Sequence, residues 1–464
     1  MLFSSPVFFV FFALYFAAHL LVPRAYRNWL IIIGSAIFYG YWNILYAGLP
    51  FALTLVAYSA ALWLMASDDP LVRKRRMVAG LIVMLLPLGF VKYTNFFVND
   101  LAAPLLGFSE RHVVDLGLPL GISFITFTLI AYIVNVARGD YPLERDARWV
   151  LSYVLFFPHL IAGPILRPHE LIPQLKAPRP ARWRAITVGL AIFSVGLVKK
   201  LVFADQIAMA VDMVYADPSG LSTFDYLLAI YGFSLQIYCD FSGYTDMAIG
   251  LALAIGVRLP NNFRSPYAAR SIAEFWRRWH ITLSHWLRDY LYIPLGGSRR
   301  GPVRQMAAVI ITMTLGGLWH GAAWTFVIWG ILHGIGVALS QLVRRGAWAA
   351  FRLPRWLAVL VTFHVVTALW IFFRAPDLAT ARAVALGPFV GPPGDPLAFL
   401  SAHAFHLMLL AVFVLTHPFD DHRRIRLFVR RAPAAFYWPA IALAWVLAIT
   451  ISTGSSAKFI YFDF

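Results

Sequence analysis

Charge is what this sequence has least of. Only 13% of its 464 residues are Asp, Glu, Lys or Arg, against roughly 25% in soluble domains, which is too little to cover a water-exposed surface of that size. Acidic residues are the scarcer kind: 22 Asp and Glu against 39 Lys and Arg leave a net charge of +17. Cysteine occurs once, at Cys239, and that excludes any internal disulfide. Neither a G-x-S-x-G elbow nor a phosphate-binding G-x-x-x-x-G-K-[ST] loop occurs, so an elbow-type serine hydrolase and an ATP-driven pump are not indicated. What is abundant is apolar: 60% hydrophobic, 16% aromatic and a mean hydropathy of +0.71. Those side chains must face lipid, and the fold class expected is an all-α polytopic membrane protein.

The apolar stretches place the helices. Ser5 to Val22 is about as long as a bilayer span needs at 1.5 Å per residue. No positive charge precedes it, and Arg24 and Arg27 follow it, so it reads as a retained helix with its N-terminus outside. Further stretches lie near 29–46, 49–65, 78–91, 118–135, 149–161, 185–203, 224–257, 305–319, 322–342, 356–373, 404–416 and 437–452, and about eleven or twelve of the set are expected to cross, with both termini periplasmic. The basic residues support this: 32 of the 39 fall in alternate loops, so topology alone explains most of the +17 and no nucleic acid is required. The exceptions are Lys92, Arg111, Lys199, Lys200, Arg374, Arg382 and Lys458, assigned to outer loops or helix ends. Trp149 to Ile161 is too short to span and reads as re-entrant or interfacial. The 224–257 stretch carries Asp240, Gly243 and Asp246 and is expected to be one span plus a broken segment. The whole of 1–464 is taken as one integral-membrane domain, with a motif-rich core at 236–342.

Titratable groups in a bilayer cost about 2.5–3.5 kcal/mol each even on insertion scales, and here they cluster between Gln236 and His333. On a continuous helix Arg277, His280, Ser284 and Arg288 fall in one polar stripe, with Phe275, Trp279, Leu283, Trp286 and Tyr290 opposite. Such a helix could equally lie at the interface among lipid headgroups. His320 sits in Gly316-Gly-Leu-Trp319-His320-Gly321, at the turn of a hairpin with basic loops at both ends, where glycines allow close backbone approach. His333 is about 220° around and about 20 Å further along a continuous helix, so a structural role is expected for it. Asp240 and Asp246 either cap a break at Gly243 or bind a proton or cation. His280 and His285 lie about 140° apart on a helix, unlike a one-face zinc pair, so no metal site is expected. Cys239 has no His or Lys within helical reach to activate it as a nucleophile.

Four motifs carry a resemblance. Asp240-Phe-Ser-Gly-Tyr-Thr-Asp-Met-Ala-Ile-Gly250, Pro260-Asn-Asn-Phe-Arg264 with Pro266-Tyr267, Glu274-Phe-Trp-Arg-Arg-Trp-His280 running on to Leu295-Gly-Gly297, and Leu318-Trp-His-Gly321 resemble the membrane-bound O-acyltransferase (MBOAT) family, in its bacterial polysaccharide branch. The likeness extends to Leu118–Phe127, Phe156–Ile165 and Phe372-Phe-Arg374, and so to nearly the whole chain. It implies acyl transfer from a cytoplasmic thioester, on acyl-CoA or an acyl carrier protein, to a hydroxyl reached from the other side, with no bound cofactor. It also implies a polysaccharide acceptor, such as alginate, and a periplasmic acyltransferase partner. His320 matches the family's near-universal histidine and His280 its second active-site position. Asn135 departs from the pattern, where aspartate is expected.

Attack of a hydroxyl on a thioester needs a base, and histidine suits that. The expectation is that His320, beside Trp319 and Gly321, is this base, while His280, with Ser284, steadies the oxyanion or orients the donor. Asp240 and Asp246 are possible supporting groups. Arg277, Arg278, Arg288, Arg299 and Arg300 are candidate docking residues for the phosphates of coenzyme A or for an acidic carrier, although membrane lipids would draw the same arginines. Peptidoglycan or another cell-wall polymer is the alternative acceptor. From another class, Asp240 and Asp246 would couple ions to export of a glycan or lipid.

Overall fold

In the computed structural model residues 1–107, 117–180, 182–345, 353–452 and 459–460 are described; Arg111, Arg352 and Lys458 lie outside them. The described residues are helical, and they divide into two compact units, residues 1–190 with 248–260, and 191–247 with 261–464.

The first unit holds α1 (Pro6–Leu21), α2 (Arg27–Gly40), α3 (Gly48–Met65), α4 (Pro70–Phe96), α5 (Ala103–Leu106), α6 (Ile122–Arg138), α7 (Ala147–Val154), α8 (Phe157–Leu160) and α9 (Pro168–Lys176). Helix starts follow local chemistry. Pro6 opens α1 with the Ser5 hydroxyl accepting the Phe8 N–H at 3.3 Å, and Pro70 opens α4 with Asp69 accepting the Leu71 N–H at 2.8 Å; both satisfy end groups a helix leaves open. The 149–161 stretch is two short helices, α7 and α8, neither long enough to span, and their residues are largely buried. Backbone there is satisfied from other elements: the Phe157 N–H donates to Ser35 Oγ at 3.1 Å, and Tyr153 donates to the Leu166 carbonyl at 2.7 Å. Irregular backbone at membrane depth is tolerated when protein supplies its partners. Asn135 is buried in α6, its amide donating to the Ala131 carbonyl at 2.6 Å.

α10 (Trp183–Val198) and α12 (Thr223–Ala254) contribute to both units, and α11 (Asp205–Ala216) follows α10 through a π turn at Lys199–Ala204. The rest of the second unit is α13 (Ile272–Trp276), α14 (Ile281–Leu287), α15 (Pro302–His320), α16 (Trp324–Arg345), α17 (Arg355–Arg374), α18 (Leu378–Val390), α19 (Pro396–Thr416), α20 (His422–Arg431) and α21 (Ala434–Ile451). By length and composition seven stretches among the described residues suffice to cross a membrane, and Pro6–Leu21, Ile122–Arg138 and Leu378–Val390 are shorter apolar helices. α12 and α15 are long but more polar, because they carry the motif residues.

Two expectations fail here. α12 is unbroken across Asp240, Gly243 and Asp246, so neither carboxylate caps a break. A Cβ on Gly243 would sit 2.8 Å from the Gly196 carbonyl oxygen, and one on Gly196 would sit 2.6 Å from that of Gly243. The two glycines therefore let α10 and α12 touch backbone to backbone. That contact delivers the counterions: Lys199 Nζ is 2.7 Å from Asp246, and Lys200 Nζ is 2.7 Å from both Asp240 and Asp205. These lysines do stand at the end of α10, as expected, but they are buried ion-pair partners there. Conversely, the helix expected through Arg277, His280, Ser284 and Arg288 does not exist. It stops at Trp276 and restarts at Ile281.

Candidate active site

His280 stands at that interruption in the left-handed region, φ +41° and ψ 56°. Among the described residues only it and Ser265 combine a side chain with positive φ, a conformation that costs of order 1–3 kcal/mol and persists only where its surroundings impose it. Here the surroundings are Asn262. Its carbonyl accepts the Ile281 N–H at 3.0 Å, and its side-chain Oδ1 accepts the Thr282 N–H at 3.2 Å and the Thr282 hydroxyl at 3.0 Å. His280 Nδ1 lies 3.2 Å from the same oxygen. Arg264 N–H donates to the Arg278 carbonyl at 2.9 Å, and Ser284 donates to the Trp276 carbonyl at 2.9 Å, across the gap. The Ser284 hydroxyl is therefore a tie for the broken backbone. The His280 ring is completely buried, and burial pushes its pKa down from its ordinary value to about 3.

His320 is the last residue of α15. Gly321 is extended, and the chain turns back into α16. The hairpin is tight because glycines face backbone: a Cβ on Gly317 would lie 2.3 Å from the Phe326 carbonyl oxygen, and one on Gly330 2.5 Å from that of Met313. Gly321 is fixed by Phe326, whose ring a Cβ would meet at 2.0 Å. The His320 ring is boxed by Trp319, Trp329 and Phe373, at centroid distances of 4.8, 5.4 and 5.2 Å. Trp319 also faces His280 at 6.4 Å, and Phe241 of α12 closes on His280 at 4.7 Å. The structure thus brings both predicted histidines to one indole in a site walled by aromatic rings, where water is excluded and polar interactions are strengthened. His333 lies on the far side of Trp329, at 4.7 Å, and accepts a hydrogen bond from Trp276 Nε1 at 3.2 Å. It buttresses the wall.

The other candidates go elsewhere. Asp240 pairs with Lys200 and accepts the Ile460 N–H at 2.7 Å. Asp246 pairs with Lys199 and accepts from His422 Nε2 at 2.7 Å, while His422 Nδ1 meets Asn261 Oδ1 at 2.9 Å. Lys199 also pairs with Asp420, at 2.5 Å. This ion cluster floors a cavity of about 520 Å³ whose lining includes Lys199, Tyr238, Cys239 and Asp420, and neither candidate histidine. Lys199 does line Cys239's cavity, but two carboxylates hold it. Of the arginines, Arg278 pairs with Glu274 at 2.7 Å and Arg288 with Asp289 at 2.6 Å; Arg277, Arg299 and Arg300 are exposed. Burial opposes the charge on Glu274, yet the Arg270 N–H and Arg278 hold its carboxyl below the usual range. Asn262, Lys199, Asp420 and His422 were not anticipated; only Asn262 lay in a recognised motif, with no role attached.

The profile of the MBOAT, membrane-bound O-acyltransferase family matches residues 144–376, which include both histidines, the interruption and the hairpin. The chain is 42% identical over 388 residues to the probable alginate O-acetylase AlgI of Azotobacter vinelandii, covering 82% of this chain and 76% of that protein. It is 37% identical over 438 residues to the peptidoglycan O-acetyltransferase of Helicobacter pylori, 87% and 82% of the two chains. A teichoic acid D-alanyltransferase of Bacillus subtilis is 28% identical over 272 residues, 55% of this chain and 69% of its own. A site of paired histidines in an aromatic, water-poor interior and relatives of this kind lead to one conclusion: the chain belongs to the membrane-bound O-acyltransferase family and is an O-acyltransferase.

Proposed function

We propose that the protein moves an acetyl group from a thioester donor in the cytoplasm to hydroxyls of an envelope polysaccharide. The observation that carries this is the convergence of His280 and His320 on Trp319 in a buried, ring-lined site. His320 removes the proton of the acceptor hydroxyl as its oxygen bonds to the acyl carbon. The tetrahedral intermediate then collapses, the carbon–sulfur bond breaks, and the thiolate leaves with the proton from His320. The aromatic walls keep water from competing as acceptor. Exposed Arg277, Arg299 and Arg300 lie on the donor side, where phosphates of coenzyme A or an acidic carrier would meet them. The chain sits in the bacterial inner membrane with its basic loops cytoplasmic, acts as a single acyltransferase domain, and works with a periplasmic acyltransferase that completes delivery.

Alginate is the acceptor suggested by the AlgI relatives. Peptidoglycan is the second reading, favoured by the Helicobacter pylori relative, whose likeness covers more of the chain, 87%. Ion-coupled export is disfavoured by the lysines that already neutralise Asp240 and Asp246. Proteoliposomes loaded with labelled acetyl thioester, supplied outside with the periplasmic acyltransferase and offered alginate or peptidoglycan fragments, decide the matter. Labelled polymer from wild type, lost by at least about 100-fold in His320→Ala, supports the proposal; normal transfer by a folded His320→Ala variant overturns the role of His320.

A further inference from the structure

The contacts of Asn262 determine more than backbone shape. Amide oxygen and nitrogen are exchanged easily in a structure, but the Thr282 N–H can only donate, so the atom it meets at 3.2 Å is the carbonyl oxygen. A carbonyl oxygen can only accept. The ring nitrogen 3.2 Å from it, His280 Nδ1, must therefore carry a hydrogen. In a neutral imidazole the other nitrogen, Nε2, is then the unprotonated one, with its lone pair in the ring plane.

We infer that Asn262 is a positioning residue that locks His280 in its Nδ1–H tautomer, so that His280 offers Nε2 as a hydrogen-bond acceptor to a second hydroxyl of the acceptor sugar, next to the one that attacks. This differs from the role expected for His280 above, since an unprotonated nitrogen cannot donate to an oxyanion and its lone pair would repel one. The division of labour that results is simple. His280 accepts from the neighbouring hydroxyl and so orients the sugar; His320 takes the single proton of the hydroxyl that attacks. Phe241 from α12 and Trp319 from α15 face the ring and carry no charge. Asp240, next to Phe241 in α12, is held by Lys200. The neutral amide is thus a chosen partner: a carboxylate in its place would keep the geometry and draw a second proton onto His280.

The tautomer stands on geometry alone; the identity of the hydroxyl rests on the acyl-transfer reading. Two measurements separate them. The first is ¹⁵N-histidine NMR of the full chain in lipid nanodiscs, with the His280 signals identified by their loss in His280→Gln. It is expected to show a protonated Nδ1 and bare Nε2 at neutral pH, and a mixture in Asn262→Ala. A protonated Nε2 in the wild type overturns the inference. The second is the pH dependence of kcat for thioester consumption. In Asn262→Asp the acid limb should move upward by about 1–3 pH units, with the KM for donor little changed, whereas a purely structural Asn262 would leave the limb in place, and that result also overturns the inference. If wild type consumes no acetyl thioester at all, the acyl-transfer reading falls and the NMR result still decides the tautomer.

Discussion

α12 carries Asp225, Asp240, Asp246 and three glycines and stays helical for 32 residues, while the segment from Ile272 to Tyr292 contains no Gly or Pro and breaks. The difference lies in where the polar groups find partners. Asp240 and Asp246 of α12 are paired with Lys200 and Lys199 of the π turn that follows α10, so the backbone keeps its own hydrogen bonds. At His280 the partners come from Asn262, which takes over the Ile281 and Thr282 N–H groups that a continuous helix would have used internally. A helix in this protein breaks where another segment offers better partners for its backbone, and residue propensity along it is secondary.

That contrast can be attacked from its strongest term downward. Lys200→Met leaves Asp205 and Asp240 buried with like charge and is expected to cost about 3–5 kcal/mol, seen as a lowered Tm or lost expression in detergent; adding Asp205→Asn and Asp240→Asn should recover most of it. If Lys200→Met alone is neutral, the ion pairs are not what keeps α12 intact. Gly243→Ala pushes a methyl against the Gly196 carbonyl and should cost about 1–3 kcal/mol, whereas Gly89→Ala in α4, where nothing lies within 4 Å of the added carbon, should be neutral in the same thermal scan. At the interruption, His280→Val forces a β-branched residue into positive φ and should lose about 1–3 kcal/mol. His280→Asn, which tolerates that conformation, should unfold later than the valine variant while losing acyl transfer; equal stability of the two would mean the positive φ is not imposed.

The parts of the molecule that hydropathy governs were legible in advance. The apolar helices and the non-spanning 149–161 stretch followed from the scarcity of polar residues at membrane depth, and the motifs pointed to His280 and His320, which share one indole. The two errors share a cause. Arg277, His280, Ser284 and Arg288 have faultless helical spacing, and Asp-Phe-Ser-Gly-Tyr-Thr-Asp looks like a break; both judgments used neighbours in sequence. The deciding partners, Asn262 for the one and Lys199 with Lys200 for the other, stand outside those segments, and no periodicity points to them. His422 and Asp420 were hidden for the same reason, in a basic stretch explained by topology alone.

The glycine contact between α10 and α12 also bears on how the chain enters the bilayer. Lysine inserted by itself costs about 2.5–3.5 kcal/mol at the centre of a helix, and aspartate costs a similar amount. The π turn that ends α10 brings Lys199 and Lys200 and α12 brings Asp240 and Asp246, so each helix alone carries a penalty that their pairing reduces. The two should therefore enter lipid together at lower cost than either alone, with Asp205 and Asp420 joining the same two lysines as the cluster assembles.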